Sequence, residues 1–381
     1  MPPPVSDLIQ QIRQRPGAYV GGTEGYSLHR LPLLLLRAGA LAAAEGRGDE
    51  VRLQLEEGGA CTFSFNGALW PARLVPEPPG DSLARLFTLA DAPPGVLLEP
   101  SIHEDLALVN ALSSKFEVSV GQGGRAWRQV FGEGVPAGPL REVPPTVGTR
   151  SVVRGTRIRF VPDRAFFERT RLSVLGLSWR MEELAALYPR VTFQLHDDVR
   201  HLEERHCFAR GLEDYCAQLS APAQPLHTPW FFEGSVGTTQ VRLSLQWCRT
   251  PGQRVKSWVN QLHTHGGSHL DGLHEGLLGA LVHYAQVARR TSEVSTWVAQ
   301  FATEGLTALL DVTVPRPVWR GPVKGALVDE ACGADVAWLV REWLSARFEQ
   351  ESAVAAQVLD QVIGRSVAHG PACGARGRPG G

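Results

Sequence analysis

Lysine is nearly missing from this sequence: of 38 basic residues, only Lys115, Lys256 and Lys324 are lysines. An arginine bias of that size fits a GC-rich genome and makes each remaining lysine informative. An excess of either charge is lacking too. Lys plus Arg (38) against Asp plus Glu (39) leaves a formal charge of −1, which excludes a general polyanion binder while allowing one basic face. No apolar run is long enough for a bilayer. The most apolar stretch, residues 31–44, is broken by Pro32 and Arg37 and falls short of the roughly 20 residues a spanning helix needs. The opening MPPPVSD has neither a basic n-region nor an apolar h-region, so no secretory leader is expected. Six cysteines (Cys61, Cys207, Cys216, Cys248, Cys332 and Cys373) form no C-x-x-C pair, which argues against a zinc finger and fits free thiols in a reducing compartment. A cytosolic globular protein is the expected class. What is present suits it: 43% apolar and 20% charged residues over a length of 381, enough for two domains or three small ones.

Along the chain, residues 6–15 read as a short helix stopped by Pro16-Gly17, and residues 28–44 as a helix apolar nearly all round, hence buried. Residues 51–55 and 61–65 read as strands joined by EEGG, a hairpin turn. Proline and glycine cluster at 76–80 and 93–95 and mark loops around a short helix. A helix is expected over 106–114, a second hairpin over 116–120 and 126–132, and a strand over 156–161. Hairpins mixed with helices predict an α+β sandwich rather than alternating βαβ units. Residues 221–229, rich in Ala, Pro and Gln, suggest a linker between domains at 1–220 and 221–367. The second part is expected to hold strands at 241–247, 255–262 and 306–314 and helices at 270–289 and over 335–367. The Gly/Pro/Arg-rich tail, 368–381, is expected to be disordered. No internal repeat is visible.

Seven strings in one order carry a resemblance. They are IRQRPGAYVG at 12–21, LHRL at 28–31, VNALS at 109–113, WRQVF at 127–131, GTRIRFVPD at 155–163, VNQLHTHGGSH at 259–269 and EGLTA at 304–308. Together they resemble the ATPase and transducer half of the gyrase B family, GHKL-type ATPases of type IIA DNA topoisomerases. The resemblance spans roughly residues 8–360 and implies a GHKL (Bergerat) sandwich followed by a transducer resembling the ribosomal S5 domain-2-like fold. It covers no DNA-cleavage machinery, since the sequence stops where a TOPRIM domain would begin. No dimerisation arm stands ahead of Val5, so ATP-driven clamp closure is not expected.

In that family a carboxylate polarises the attacking water, a side-chain oxygen holds Mg²⁺, a buried carboxylate reads adenine, and glycine-rich backbone wraps the phosphates. The resemblance places the general base on Leu34 and the metal ligand on Ala38, with Arg37 in place of a neighbouring aspartate. Leucine cannot take a proton and alanine cannot ligate a cation. The adenine reader falls on Phe65, inside FNGALWPA at 65–72, where Asn66, Gly67 and Pro71 are kept. The phosphate loop falls on EPSIHEDLA at 99–107, which has no glycine and carries Glu99, Glu104 and Asp105. Those carboxylates would repel a triphosphate, and Pro100 removes an N–H donor. The lid before this loop is shorter by a few residues. Of the transducer's Q-T-K loop only Lys324 is kept. Asn110 and Thr156 complete the remnants of a nucleotide site.

Plainer readings stand beside these. Asn66-Gly67 reads equally as a tight turn, Thr156 as a strand residue bonding locally, and Lys324 as a surface cation. His263, His265, His269 and His274 suggest a metal, but glycines break any helix aligning them, and two coincide with family histidines of no metal role. His103 with Glu104 and Asp105 reads as a solvated loop or cap, and Arg164, Arg169, Arg171 and Arg180, interleaved with Glu168, as a solvated face. The expected function is that of a gyrase B-like binding or regulatory protein without ATP turnover and without cofactor, whereas its family uses ATP and Mg²⁺. Its expected partners are a topoisomerase subunit, DNA or a second copy of itself, and no membrane. The rival from another class is an ATP-hydrolysing topoisomerase subunit whose base is rebuilt from Glu99, Glu104 or Asp105; a third is a decayed duplicate.

Overall fold

The computed structural model describes residues 7–21, 25–70, 82–88, 100–144, 155–167, 172–290, 302–321 and 325–369. The chain divides into two compact units, Met1–Gly211 and Leu212–Gly381. The division precedes the Ala/Pro/Gln-rich stretch, because residues 212–220 form a helix that packs on the second unit's sheet.

The first unit opens with α1 (Asp7–Gln14), α2 (Pro16–Val20), α3 (Gly25–Leu28) and α4 (Arg30–Ala44). Strands β1 (Glu50–Leu55) and β2 (Cys61–Phe65) follow, then α5 (Ser82–Thr88) and α6 (Pro100–Ala111). The remaining elements are β3 (Ser113–Gln122), β4 (Arg125–Gly132), β5 (Val135–Pro136), β6 (Arg141–Val143), β7 (Gly155–Pro162), α7 (Val174–Leu187), β8 (Thr192–Asp197) and β9 (Leu202–His206). Alternation dictates the strands: in β1, Val51, Leu53 and Leu55 are buried and the residues between them are half-buried. The sheet runs β5-β4-β3-β7-β2-β1-β8-β9, with β6 beside β4. It is antiparallel except where β1 pairs β8 in parallel. Helix α4 lies on β1 and β2 and contacts α6 and α7. A Cβ at Gly39 would sit 3.0 Å from the Phe63 ring, so glycine there lets α4 approach the sheet.

Three of the recognised strings meet in space. Arg13 donates to the Ala111 carbonyl (2.7 Å) and to Asp163 (2.9 Å), and its guanidinium lies 4.8 Å from the Phe166 ring centre. The arginine of the opening string thereby fastens α1 to the C-terminal end of α6 and to the residue after β7. The helix expected at 106–114 begins earlier, at Pro100, and ends earlier, at Ala111. Ser113 Oγ donates back to the Val109 carbonyl (2.6 Å), and β3 begins at that residue. The loops expected at 76–80 and 93–95 lie outside the described residues.

The second unit contains α8 (Leu212–Ser220), β10 (Trp230–Val236), β11 (Thr239–Trp247), β12 (Arg254–Val259), β13 (Leu262–Thr264), β14 (Gly266–Gly267), α9 (Ser268–Val287), β15 (Leu306–Thr313), β16 (Ala326–Leu327), α10 (Glu330–Gln350) and α11 (Ser352–His369). Five strands pair in the order β10-β11-β15-β12-β13. One face carries Val241, Leu243, Leu245, Leu310 and Val312 and packs with α9 and α10 around Trp230, Trp247 and Phe348. Helix α8 covers part of the other face through Tyr215 and Cys216, both fully buried. The strand expected at 255–262 is interrupted by Asn260 and Gln261, whose φ values of 48° and 63° make the hairpin turn between β12 and β13. The tail beyond His369 lies outside the described residues.

Candidate functional site

Helix α4 presents Leu34, Arg37 and Ala38, all buried, because LPLLLLRAGALAAA is apolar on nearly every side. Arg37 is the polar exception, and Nη1 donates to Asp105 Oδ2 on α6 at 3.1 Å. Asp105 also offsets the effect of burial on Arg30, whose guanidinium burial pushes below its ordinary range while Arg37 adds a push in the same direction. Asp105 is therefore one carboxylate among two guanidiniums, not a bare negative charge. Residues 100–107, expected as part of a phosphate loop, lie within α6, and the repulsion expected there does not hold for Asp105. Glu99 and the side chain of Glu104 lie outside the described residues, as do Pro71 and Lys324.

At the end of β2, Phe65 is 2% exposed. A Cβ at Gly48 would come within 2.7 Å of its ring. Asn66 turns back toward the start of β1: Oδ1 accepts the N–H groups of Asp49 (3.0 Å) and Glu50 (3.1 Å), and Nδ2 donates to Asp49 Oδ1 (2.6 Å). Thr156 pairs with Phe65 across β7 and β2. Its buried hydroxyl donates to the Gly67 carbonyl (3.3 Å) and accepts the Leu69 N–H (3.2 Å). Asn66, Gly67 and Thr156 thus meet at one corner. Asn110 stands apart, fully buried, with Nδ2 donating to the carbonyls of Phe87 (2.9 Å) and Gly134 (3.1 Å). Each described remnant has a backbone partner of its own.

The histidines part company. His269, in the first turn of α9, is fully buried, with Nε2 2.9 Å from Thr264 Oγ1 and 3.2 Å from Ser257 Oγ. His263, His265 and His274 line a cleft of about 380 Å³ with Leu270 and Leu277. Among the described residues no group of three His, Cys, Asp or Glu is placed to hold a metal ion. Burial lowers both His269 and His227 to about 4. His227 Nε2 accepts the Trp247 N–H (3.0 Å), a bond that a protonated ring could not accept. For each, the unfolded chain binds the proton first. Stability is complete above about pH 6.5 and falls as pH drops toward 4, by roughly 3 kcal/mol for a group shifted this far. Urea unfolding of the second unit should show that loss between pH 6.5 and 4, and His269→Gln should flatten part of it; an unchanged midpoint would refute the account.

The pairing of Arg37 with Asp105 escaped the sequence because the two are 68 positions apart. Their signal was an odd charge at each position, an arginine where the resembling family has aspartate and an aspartate within its phosphate loop.

Known proteins share this fold. The family model for DNA gyrase B matches residues 211–372. The chloroplastic/mitochondrial DNA gyrase B of rice is 28% identical over 95% of this chain and 51% of its own length. The DNA gyrase B of Myxococcus xanthus is 28% identical over 98% of this chain and 47% of its own. The chain spans about half the length of these curated relatives. Among solved structures, the gyrase B of Myxococcus xanthus superposes with a TM-score of 0.79 at 26% identity, covering 93% of this chain and 100% of that one. The 43K ATPase domain of Thermus thermophilus gyrase B, solved with an aminocoumarin, gives 0.77 at 25% identity, covering 94% and 95%.

Proposed function

We propose that this chain, which belongs to the gyrase B-like type II topoisomerase family, works without ATP turnover as a binding or regulatory protein. The observation that carries the reading is α4. Where the resemblance puts a general base and a Mg²⁺ ligand stand Leu34 and Ala38, 6% and 3% exposed. Between them Arg37 reaches Asp105. The residues at these positions do not fit Mg²⁺–ATP: Leu34 offers water no proton acceptor, Ala38 offers the cation no oxygen, and Phe65 offers adenine no acceptor. Losing a single catalytic group costs roughly 10²–10⁴-fold in rate, and here several are replaced together.

The rival, a rebuilt ATPase, would take its base from Glu99, Glu104 or Asp105, and of these Asp105 is already engaged in an ion pair with Arg37. Cytoplasmic location, a topoisomerase subunit or DNA as partner, and pairing with a second copy belong to the same proposal. Among the described residues no helix is long and apolar enough to cross a membrane.

Calorimetric titration of ATP–Mg²⁺ and of a non-hydrolysable analogue tests it, at protein concentrations that register micromolar binding. No heat is expected from the folded protein. Saturable, Mg²⁺-dependent binding would overturn the proposal and turn attention to steady-state hydrolysis.

A further inference from the structure

The face of the second sheet opposite α9 and α10 carries a transverse row of charged residues. In register, Glu233 on β10 stands beside Arg242 on β11, and Arg242 beside Asp311 on β15. The next row is polar: Ser235, Gln240 and Thr313. These residues and Gln261 line a cleft of about 550 Å³.

Asp311 is the unusual member. It is 2% exposed, in a strand, LTALLDVT, that is otherwise apolar or hydroxylic. Arg242 donates through both Nε (3.1 Å) and Nη2 to the same oxygen, Oδ2. Asp311 Oδ1 accepts no hydrogen bond from any described residue. A buried carboxylate oxygen left this way is costly, by the desolvation of a group that water would otherwise bond. Glu233 is exposed, makes no ion pair with a described residue, and is close enough to push the Asp311 carboxyl upward along with burial, against the pull of Arg242. Two carboxylates against one guanidinium leave the row one positive charge short.

The geometry points to a binding subsite for an organic cation bearing several N–H donors, a guanidinium or a primary ammonium, held between Asp311 Oδ1 and Glu233. Arg242 keeps Oδ2. Its side chain is 28% exposed, and the binding we infer requires it to pivot about that oxygen so that Oδ1 opens to the incoming donor. Charge-assisted bonds of this kind are stronger than neutral ones, and the amide and hydroxyl groups of Gln240, Gln261, Ser235 and Thr313 offer further acceptors. An anion is the wrong occupant, since Glu233 and Asp311 would face it. This site is in the second unit and does not depend on whether the chain binds ATP.

The test uses the full chain at low ionic strength. N-acetyl-arginine amide stands for an arginine side chain of a protein partner, spermidine for a free polyamine, and N-acetyl-citrulline amide for an uncharged shape control. Saturable binding of one cation is expected, with the tighter of the two marking the source, weakening as salt is added. Citrulline amide should not bind. Asp311→Asn and Glu233→Gln should each weaken the cation at least about tenfold. Because Glu233 is exposed, Glu233→Gln should melt as the wild type does, so the test survives a misfolded Asp311→Asn. No saturable binding of either cation, equal binding of citrulline amide, or binding that Glu233→Gln leaves unchanged would each overturn the inference.

Discussion

A variant carrying Leu34→Glu, Ala38→Asn and Phe65→Asp is expected to lose roughly 5–8 kcal/mol of stability in its first unit and to gain no ATP hydrolysis. These substitutions return the three side chains that the family resemblance calls for, so the naive outcome is restored chemistry. Burial argues otherwise. Phe65 is 2% exposed and Leu34 6%. Truncating a buried aromatic costs about 3–5 kcal/mol and a buried leucine about 2–5. Each new carboxylate must then be desolvated or protonated. Leu34 and Ala38 lie one turn apart on α4, so their costs will not simply add. Even the lower end is comparable to the whole stability of an ordinary domain, about 5–15 kcal/mol. Nor would catalysis follow, because Arg37 would still engage Asp105 in a site that has been repacked around apolar side chains. Urea unfolding followed by tryptophan fluorescence reads the first half, and steady-state phosphate release the second. A folded triple variant with Mg²⁺-dependent turnover would show that three side chains alone separate this protein from an ATPase, and would end the repacking argument.

The family resemblance assigns those three positions through local strings, and the fold is legible where order along the chain suffices. Helix α4 announces itself by an apolar run without a polar face, β1 and β2 by alternation around a glycine turn, and β3 and β4 likewise. What stayed hidden depends on distance along the chain or on edge position. The parallel pairing of β1 with β8 joins residues well over a hundred apart, such as Val51 with Phe193, and no local pattern encodes it. Strand β9, LEERH, lies at the sheet edge, where no residue is fully buried, so it carries no apolar alternation to read. Helix α8 was hidden by the Ala/Pro-rich stretch that follows it, which looked like the boundary. The site divides in the same way. Leu34, Ala38 and Phe65 are assigned by the resemblance of neighbouring motifs. The Arg37–Asp105 and Arg242–Asp311 pairs could not, since each partner alone is an odd charge in an apolar element and only the fold brings them together.

Gly67→Ala should destabilise the protein by about 3 kcal/mol or more, although it adds a single methyl group. A Cβ at that position would lie 1.7 Å from the Arg47 carbonyl oxygen and 3.0 Å from the Gly48 Cα. The obstruction is backbone, so no side chain can swing aside. Either the Gly67 loop or the 47–48 turn must move by more than an ångström. Movement of either breaks the lashing of Asn66 to Asp49 and Glu50 and the Thr156 bonds to Gly67 and Leu69. Asn66→Ala, which removes the lashing without the clash, should cost less, roughly 1–3 kcal/mol, since it strands two N–H groups near the surface. Gly138→Ala is the control: nothing lies within 4 Å of its Cβ position, and near-neutral stability is expected. Thermal melts of the three variants decide between two reasons for keeping Asn66-Gly67. If the dipeptide were retained for close approach of a nucleotide, Gly67→Ala would melt like Gly138→Ala and differ only in ligand binding. If it is retained for packing, the penalty appears with no ligand present, and a surviving nucleotide motif is no sign of a surviving nucleotide site.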